Sequence, residues 1–204
     1  MPSFVKPYLE LTQKMAFLLT QSDRSEIKSL KIEAEGEIAK YLESLLTFAT
    51  VGALSESVGE KVNYVNASFI ANERGIVLET KELANSSGYK NKVNIKLNTS
   101  TGLNTISGTV FGENIQRIVE IYGNEVDVEP KGKMILFRNS DVPGVIGDVG
   151  KTLGDNNINI ADFRLGRNKN GAVAVIIVDN QIDDKILSLL RNLKAAQSVA
   201  YAEI

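Results

Sequence analysis

The residues best equipped for chemistry lie in Asn139-Ser140-Asp141-Val142-Pro143-Gly144, ahead of a short apolar segment and then Asn157-Ile158-Asn159-Ile160. Proline marks a helix start, where its missing N–H costs nothing, and Gly144 lets a ligand come close to the backbone. The next amides, those of Val145 and Ile146, point out of the helix end and carry partial positive charge. A carboxylate can rest on them. Asp141 and Asn159 supply acceptors for an ammonium group. A small amino acid must have both of its ends satisfied at once, and this turn offers partners for both.

Composition narrows the alternatives. The 204 residues are 43% hydrophobic, enough for one or two domains with real cores. There is no cysteine, hence no disulfide framework or thiolate chemistry, and no histidine, the commonest general base and metal ligand. We therefore expect no catalytic residue and no metal. Gly144, Gly147 and Gly150 repeat as G-x-x-G-x-x-G, which is not the G-x-G-x-x-G turn of a dinucleotide site, so no cofactor is expected either. A net charge of −2 gives no general attraction to nucleic acid or acidic membrane. Lys90, Lys92 and Lys96 lack interleaved aromatics and read as surface charges. No apolar run approaches the ~20 residues that span a bilayer, and the N-terminus has no signal-peptide pattern, so the expectation is cytoplasmic.

Positioning these groups requires two domains. The expected boundary is at residues 130/131, in the breaker-rich Glu129-Pro130-Lys131-Gly132-Lys133. Beyond it the chain reads as a ferredoxin-like βαββαβ unit: strands near 134–137, 158–165, 172–178 and 198–204, and helices over 144–155 and from Asp183. Ile146, Val149 and Leu153 form the predicted inner stripe of the first helix. Gly147 and Gly150 beside it would admit a close neighbour. Ile186, Leu189, Leu190 and Leu193 face inward from the second, and Arg167–Gly171 makes the hairpin turn between the middle strands. Residues 1–130 read as an α+β domain with an antiparallel sheet. Helices are expected over Tyr8–Leu19, Ile38–Ala49 and Val62–Asn72, with Tyr41, Phe48, Tyr64 and Phe69 in the core. Strands are expected over 27–34, 76–83, 92–97, 105–111 and 117–122, with a short run at 125–128.

Specific stretches carry a family likeness: Ile32-Glu33-Ala34-Glu35-Gly36, Val62-Asn63-Tyr64-Val65-Asn66-Ala67 with Glu73-Arg74-Gly75, Ser107-Gly108-Thr109-Val110-Phe111-Gly112, and the turn at 139–144. With them the chain resembles the C-terminal regulatory part of the long-form D-3-phosphoglycerate dehydrogenases, an intervening (allosteric substrate-binding) domain followed by an ACT domain. The likeness implies a longer parent that opens serine biosynthesis with NAD, while this region has no activity of its own. It implies L-serine as effector, bound by Asn139, Asp141, Asn159 and the amides of Val145 and Ile146. The ACT domains would pair into a homodimer with the ligand between subunits, in a parent that could be a tetramer. It also offers Arg117 as a possible anion site, although Glu129 stands where a second basic group would be expected. Two other readings fit the same domain order: the β-type segment of an iron–sulfur L-serine dehydratase, whose Ser-Ser-His-Thr stretch is missing, and a free-standing ACT sensor.

Overall fold

The computed structural model describes residues 1–204 of the chain, all but the side chain of Glu60. Helix α1 (Val5–Ser22) comes first and has a wide apolar face, on which Val5, Leu9, Leu11, Met15, Leu18 and Leu19 are all buried, while Lys6, Glu10, Gln13 and Lys14 lie on the other side. So wide an apolar face needs cover from more than one side, and both domains supply that cover. It starts before the expected Tyr8, and Pro7 fits inside its first turn, where no backbone bond is lost.

Next come β1 (Ile27–Glu35), a 3-10 turn over Glu37–Tyr41, α2 (Leu42–Val58), α3 (Ala67–Glu73), β2 (Val77–Leu83), β3 (Lys92–Thr99), β4 (Leu103–Phe111), β5 (Ile115–Ile121) and β6 (Asn124–Val128). The strands form one sheet in the order β2-β1-β3-β4-β5-β6. Every pairing is antiparallel except β1 with β2, which is parallel. The sheet is thus antiparallel as expected but for this one pair, which follows from connectivity: α2 and α3 lie between the two strands, and parallel neighbours need such a crossover. The helix expected over 62–72 is shorter because asparagine side chains hold its approach as a turn. Asn63 Oδ1 accepts the N–H of Val65 (2.9 Å) and of Asn66 (3.1 Å), and Asn66 Oδ1 accepts the N–H of Asn63 (2.8 Å). The expected aromatic core is also corrected. Tyr41 and Phe48 are partly buried, but Phe69 is 63% exposed, and Tyr64 is half-exposed, stacked on Phe48 with its hydroxyl on Gln13.

Just after α1, Asp23 gathers donors: Thr99 Oγ1 at 2.6 Å, Thr101 Oγ1 at 2.7 Å, Asn104 Nδ2 at 2.8 Å and both the N–H and hydroxyl of Ser25. Burial pushes this carboxyl up, but the hydrogen bonds from Ser25, Thr99 and Thr101 outweigh it and hold it well below the usual carboxylate range. A depressed native value contributes stability above the unfolded carboxylate's titration, and that stability is lost as pH falls below it. Asp23→Ala is expected to cost about 1–3 kcal/mol at pH 7, since it orphans several donors, and less at pH 3. Urea unfolding at the two pH values measures the difference.

The second unit comprises β7 (Lys133–Asn139), α4 (Val145–Asp155), β8 (Ile160–Asn168), β9 (Gly171–Val178), α5 (Asp184–Arg191) and β10 (Ala196–Glu203). Its antiparallel sheet has the order β10-β7-β9-β8, the βαββαβ arrangement expected. On one face Ile135, Phe137, Ala174 and Ile176 pack against α4 and α5. On the other, Met134, Leu136, Val173, Val175, Ala200 and Ala202 join the core around α1. Both faces are dry, which explains the unbroken apolar run of β9. Two details differ from expectation. The inner stripe of α4 is Val145, Val149 and Leu153, with Ile146 turned out, and α5 buries Leu187 rather than Leu189. Asp183 caps α5 by accepting the Ile186 N–H at 2.8 Å.

The two sheets meet where β8 lies against β6. A Cβ on Gly166 would fall 2.5 Å from the Glu125 carbonyl oxygen, so only glycine permits this approach. Asn168 Nδ2 donates to the Gly123 carbonyl at 3.2 Å. Arg138 lies over the Tyr122 ring, 4.5 Å from its centre.

Candidate functional site

The turn between β7 and α4 borders a cavity of about 320 Å³. Its floor is Phe137, Val149, Phe163 and Ala174; its rim is Asn139, Asp141, Val142, Gly144, Ile146 and Arg167. The turn is built from local chemistry. Asn139 is buried at the end of β7, and its Oδ1 accepts the Asp141 N–H at 2.9 Å. This Asx turn carries Asp141 at φ +53°, a left-handed conformation that Asp tolerates better than most residues. Gly144, at φ +94°, is the N-cap of α4. The first helical residue is therefore Val145, and Pro143 stands outside the helix. Asp141 is not the N-cap, so its side chain is available for something else.

That something is Arg167. Its Nε lies 2.9 and 3.1 Å from the two oxygens of Asp141. The hairpin turn was expected to begin at Arg167, but β8 runs on to Asn168 and Arg167 pairs with Ala172, so its side chain reaches across the cavity mouth. Lys169 and Asn170 make the turn. Residue spacing gave no sign of this ion pair, because it joins positions 26 apart.

The helix end has a sharper geometry than expected. The Val145 N–H donates to the Val142 carbonyl at 3.4 Å, a long turn bond. The N–H groups of Ile146 and Gly147 have no protein acceptor among the described residues. Gly147 thus joins the donors singled out in the sequence. The Val145 side chain is core, whereas Ile146 is 53% exposed. Neither Gly147 nor Gly150 has a neighbour within 4 Å of where a Cβ would stand, so they do not serve the close helix packing expected of them.

Asn139, Asp141, Val145 and Ile146 all border the cavity, and Asn159 does not. Asn159 is exposed at the foot of β8, where its Nδ2 donates to Asp179. Arg117 lies in the other sheet, 3.6 Å from Asp127. Nearby, a hydrogen bond from Lys131 holds Glu129 below the usual carboxylate range, so this surface pairs its charges internally. Among the described residues no cluster of three or more His, Cys, Asp or Glu side chains is arranged for a metal. No helix is long and apolar enough to cross a membrane.

This fold, an α+β domain joined to a βαββαβ unit with an open helix end, has known counterparts. Residues 4–122 match the family described as D-3-phosphoglycerate dehydrogenase intervening domain, and residues 133–195 match the ACT domain. The chain belongs to the D-3-phosphoglycerate dehydrogenase intervening-domain family and carries an ACT domain after it. It is 36% identical over 203 residues to a D-3-phosphoglycerate dehydrogenase of Bacillus subtilis, covering 98% of this chain and 39% of that protein. It is 33% identical over 189 residues to one from Synechocystis, covering 90% and 34%. For one from Archaeoglobus fulgidus the figures are 30% over 206 residues, 98% and 39%. The chain thus spans well under half the length of these relatives.

Proposed function

We propose that this chain is the regulatory region of an NAD-dependent D-3-phosphoglycerate dehydrogenase and binds L-serine for feedback inhibition of serine biosynthesis, with the catalytic and NAD-binding parts lying outside it. One observation carries the reading: a cavity that sets the unpaired N–H groups of Ile146 and Gly147 beside the Asp141 carboxylate. The amides would take the ligand's carboxylate and Asp141 its ammonium. Serine binding would then draw Asp141 away from Arg167, an exposed pair worth at most about 1 kcal/mol, so the exchange is affordable.

The effector would sit in a homodimer formed through ACT domains. Val142, Ile146 and Leu165 are exposed apolar residues around the cavity mouth. A second copy laid there would cover them and bring its own Asn159 toward the ligand. Serine would act only by its differential affinity for the paired arrangement. The NAD and the phosphoglycerate would be handled by the remainder of a longer cytoplasmic enzyme. Calorimetric titration of the chain with L-serine, beside N-acetylserine and serinamide, tests the reading. Serine alone should release heat and raise the melting temperature. Silence toward serine at millimolar concentration, or equal binding of the blocked analogues, would defeat it.

A further inference from the structure

The cavity beneath the 139–144 turn offers more than partners for the two charged ends of an amino acid. Its volume is about 320 Å³, the space of roughly ten waters at ~30 Å³ each, whereas the side chain of serine is a hydroxymethyl group. The chemistry of the lining says what else fits. Its polar side chains are Asn139, Asp141 and Arg167. Asn139 is 1% exposed and engaged within the chain: its Oδ1 accepts the Asp141 N–H, and its Nδ2 donates to the Phe137 carbonyl at 3.4 Å. Asp141 and Arg167 hold each other at the mouth, and a ligand's ammonium would claim Asp141.

The other side chains of the lining are hydrocarbon. Phe163 and Leu165 lie two apart on β8 and so share one face of that strand. Val142 and Ile146 come from the turn and the start of α4, and Phe137 and Ala174 close the floor. Val142, Ile146 and Leu165 are exposed, so a methylene laid against them removes apolar surface from water on both sides of the contact. A hydroxyl laid there gives up water and finds no free side-chain partner among the described residues, which costs free energy. The grip on the ammonium and the carboxylate is common to every α-amino acid, and the space beside it favours hydrocarbon.

We propose that this cavity takes L-α-amino acids with short aliphatic side chains as a second class of effector, held by the same amides and the same carboxylate as serine and in competition with it. The inference rests on the reading of the turn as an amino-acid site and concerns what fills the space beside that grip.

Calorimetric titration of the chain with L-alanine, L-2-aminobutyrate, L-norvaline and L-serine tests it. L-2-Aminobutyrate is serine with a methyl group in place of the hydroxyl, so that pair isolates what the cavity prefers. It should bind at least as tightly as serine. Alanine should bind about fourfold more weakly than 2-aminobutyrate and norvaline about fourfold more tightly, the effect of one buried methylene at each step. Saturating norvaline should abolish the heat of serine binding. Asp141→Gly should weaken norvaline by about 10- to 100-fold, as for serine, with circular dichroism showing that the variant is folded. Serine binding beside an aliphatic series that is flat, falling or silent would overturn the proposal and leave the serine reading standing. A climbing series that Asp141→Gly weakens, with serine silent, would uphold the proposal and defeat serine as the occupant. Silence toward all four ligands would overturn both. Aliphatic binding that Asp141→Gly leaves unchanged would place it at another site and overturn the proposal.

Discussion

Gly52→Ala is expected to destabilise the chain by about 3 kcal/mol, the upper part of the range for overpacking a filled core. In an ordinary helix interior the same change is favourable by up to ~1 kcal/mol, so even the sign is diagnostic. Gly52 lies on α2 where α1 crosses it. A Cβ there would fall 2.2 Å from the backbone oxygen of Gln13 and 3.0 Å from its carbonyl carbon. The obstacle is main chain, so no rotamer change relieves it and α1 must move. That helix is also packed against the sheet of the second unit through Met134, Leu136, Ala200 and Ala202, so the displacement reaches both domains. The melting temperature should fall by about 6–12 °C for a chain of this size. A variant as stable as the parent, or more so, would mean that the two helices are not in this contact.

Asp141→Gly is expected to weaken L-serine binding by about 10- to 100-fold, the effect of removing one charge-assisted acceptor worth roughly 1.5–3 kcal/mol. Glycine is the informative replacement because Asp141 sits at φ +53°, where alanine would add backbone strain. Among the described residues the carboxylate's only ionic partner is the well-exposed Arg167, so the variant should melt close to the parent without ligand. Calorimetry for affinity and thermal unfolding for stability separate the two effects. Unchanged serine affinity would place the ammonium elsewhere.

Much of the second unit was legible because its signals are local. The apolar run Ala172–Val178, the Asp183-Asp184 helix start and the Pro143-Gly144 pair each fix an element within a few residues. What escaped depends on contacts distant in sequence. Val149 and Leu153 lie on the stripe as expected, but Val145 takes the place given to Ile146, because 145/149/153 and 146/149/153 both satisfy the i, i+3 or i+4 spacing of one helix face. The parallel pairing of β1 with β2 could not be read from either strand alone. Phe69 looked like core because it is aromatic and lies in a helix, yet α3 is short and shows that residue to solvent.

The site follows the same division. Asn139 and Asp141 were legible as a polar pair in a turn, since Asn and Asp before Pro-Gly suit a bend. Arg167 was assigned to the hairpin turn next to Gly171, and its role at Asp141 appears only when β8 is folded beside β9. The free Gly147 amide was passed over because the helix begins one residue later than Gly144 suggests.

The most direct measurement is a crystal structure of the chain grown with L-serine. The account predicts serine in the cavity beneath the 139–144 turn, its carboxylate on the Ile146 and Gly147 amides and its ammonium on Asp141. A cavity still closed by the Arg167–Asp141 pair at saturating serine, or serine held anywhere else, would contradict it.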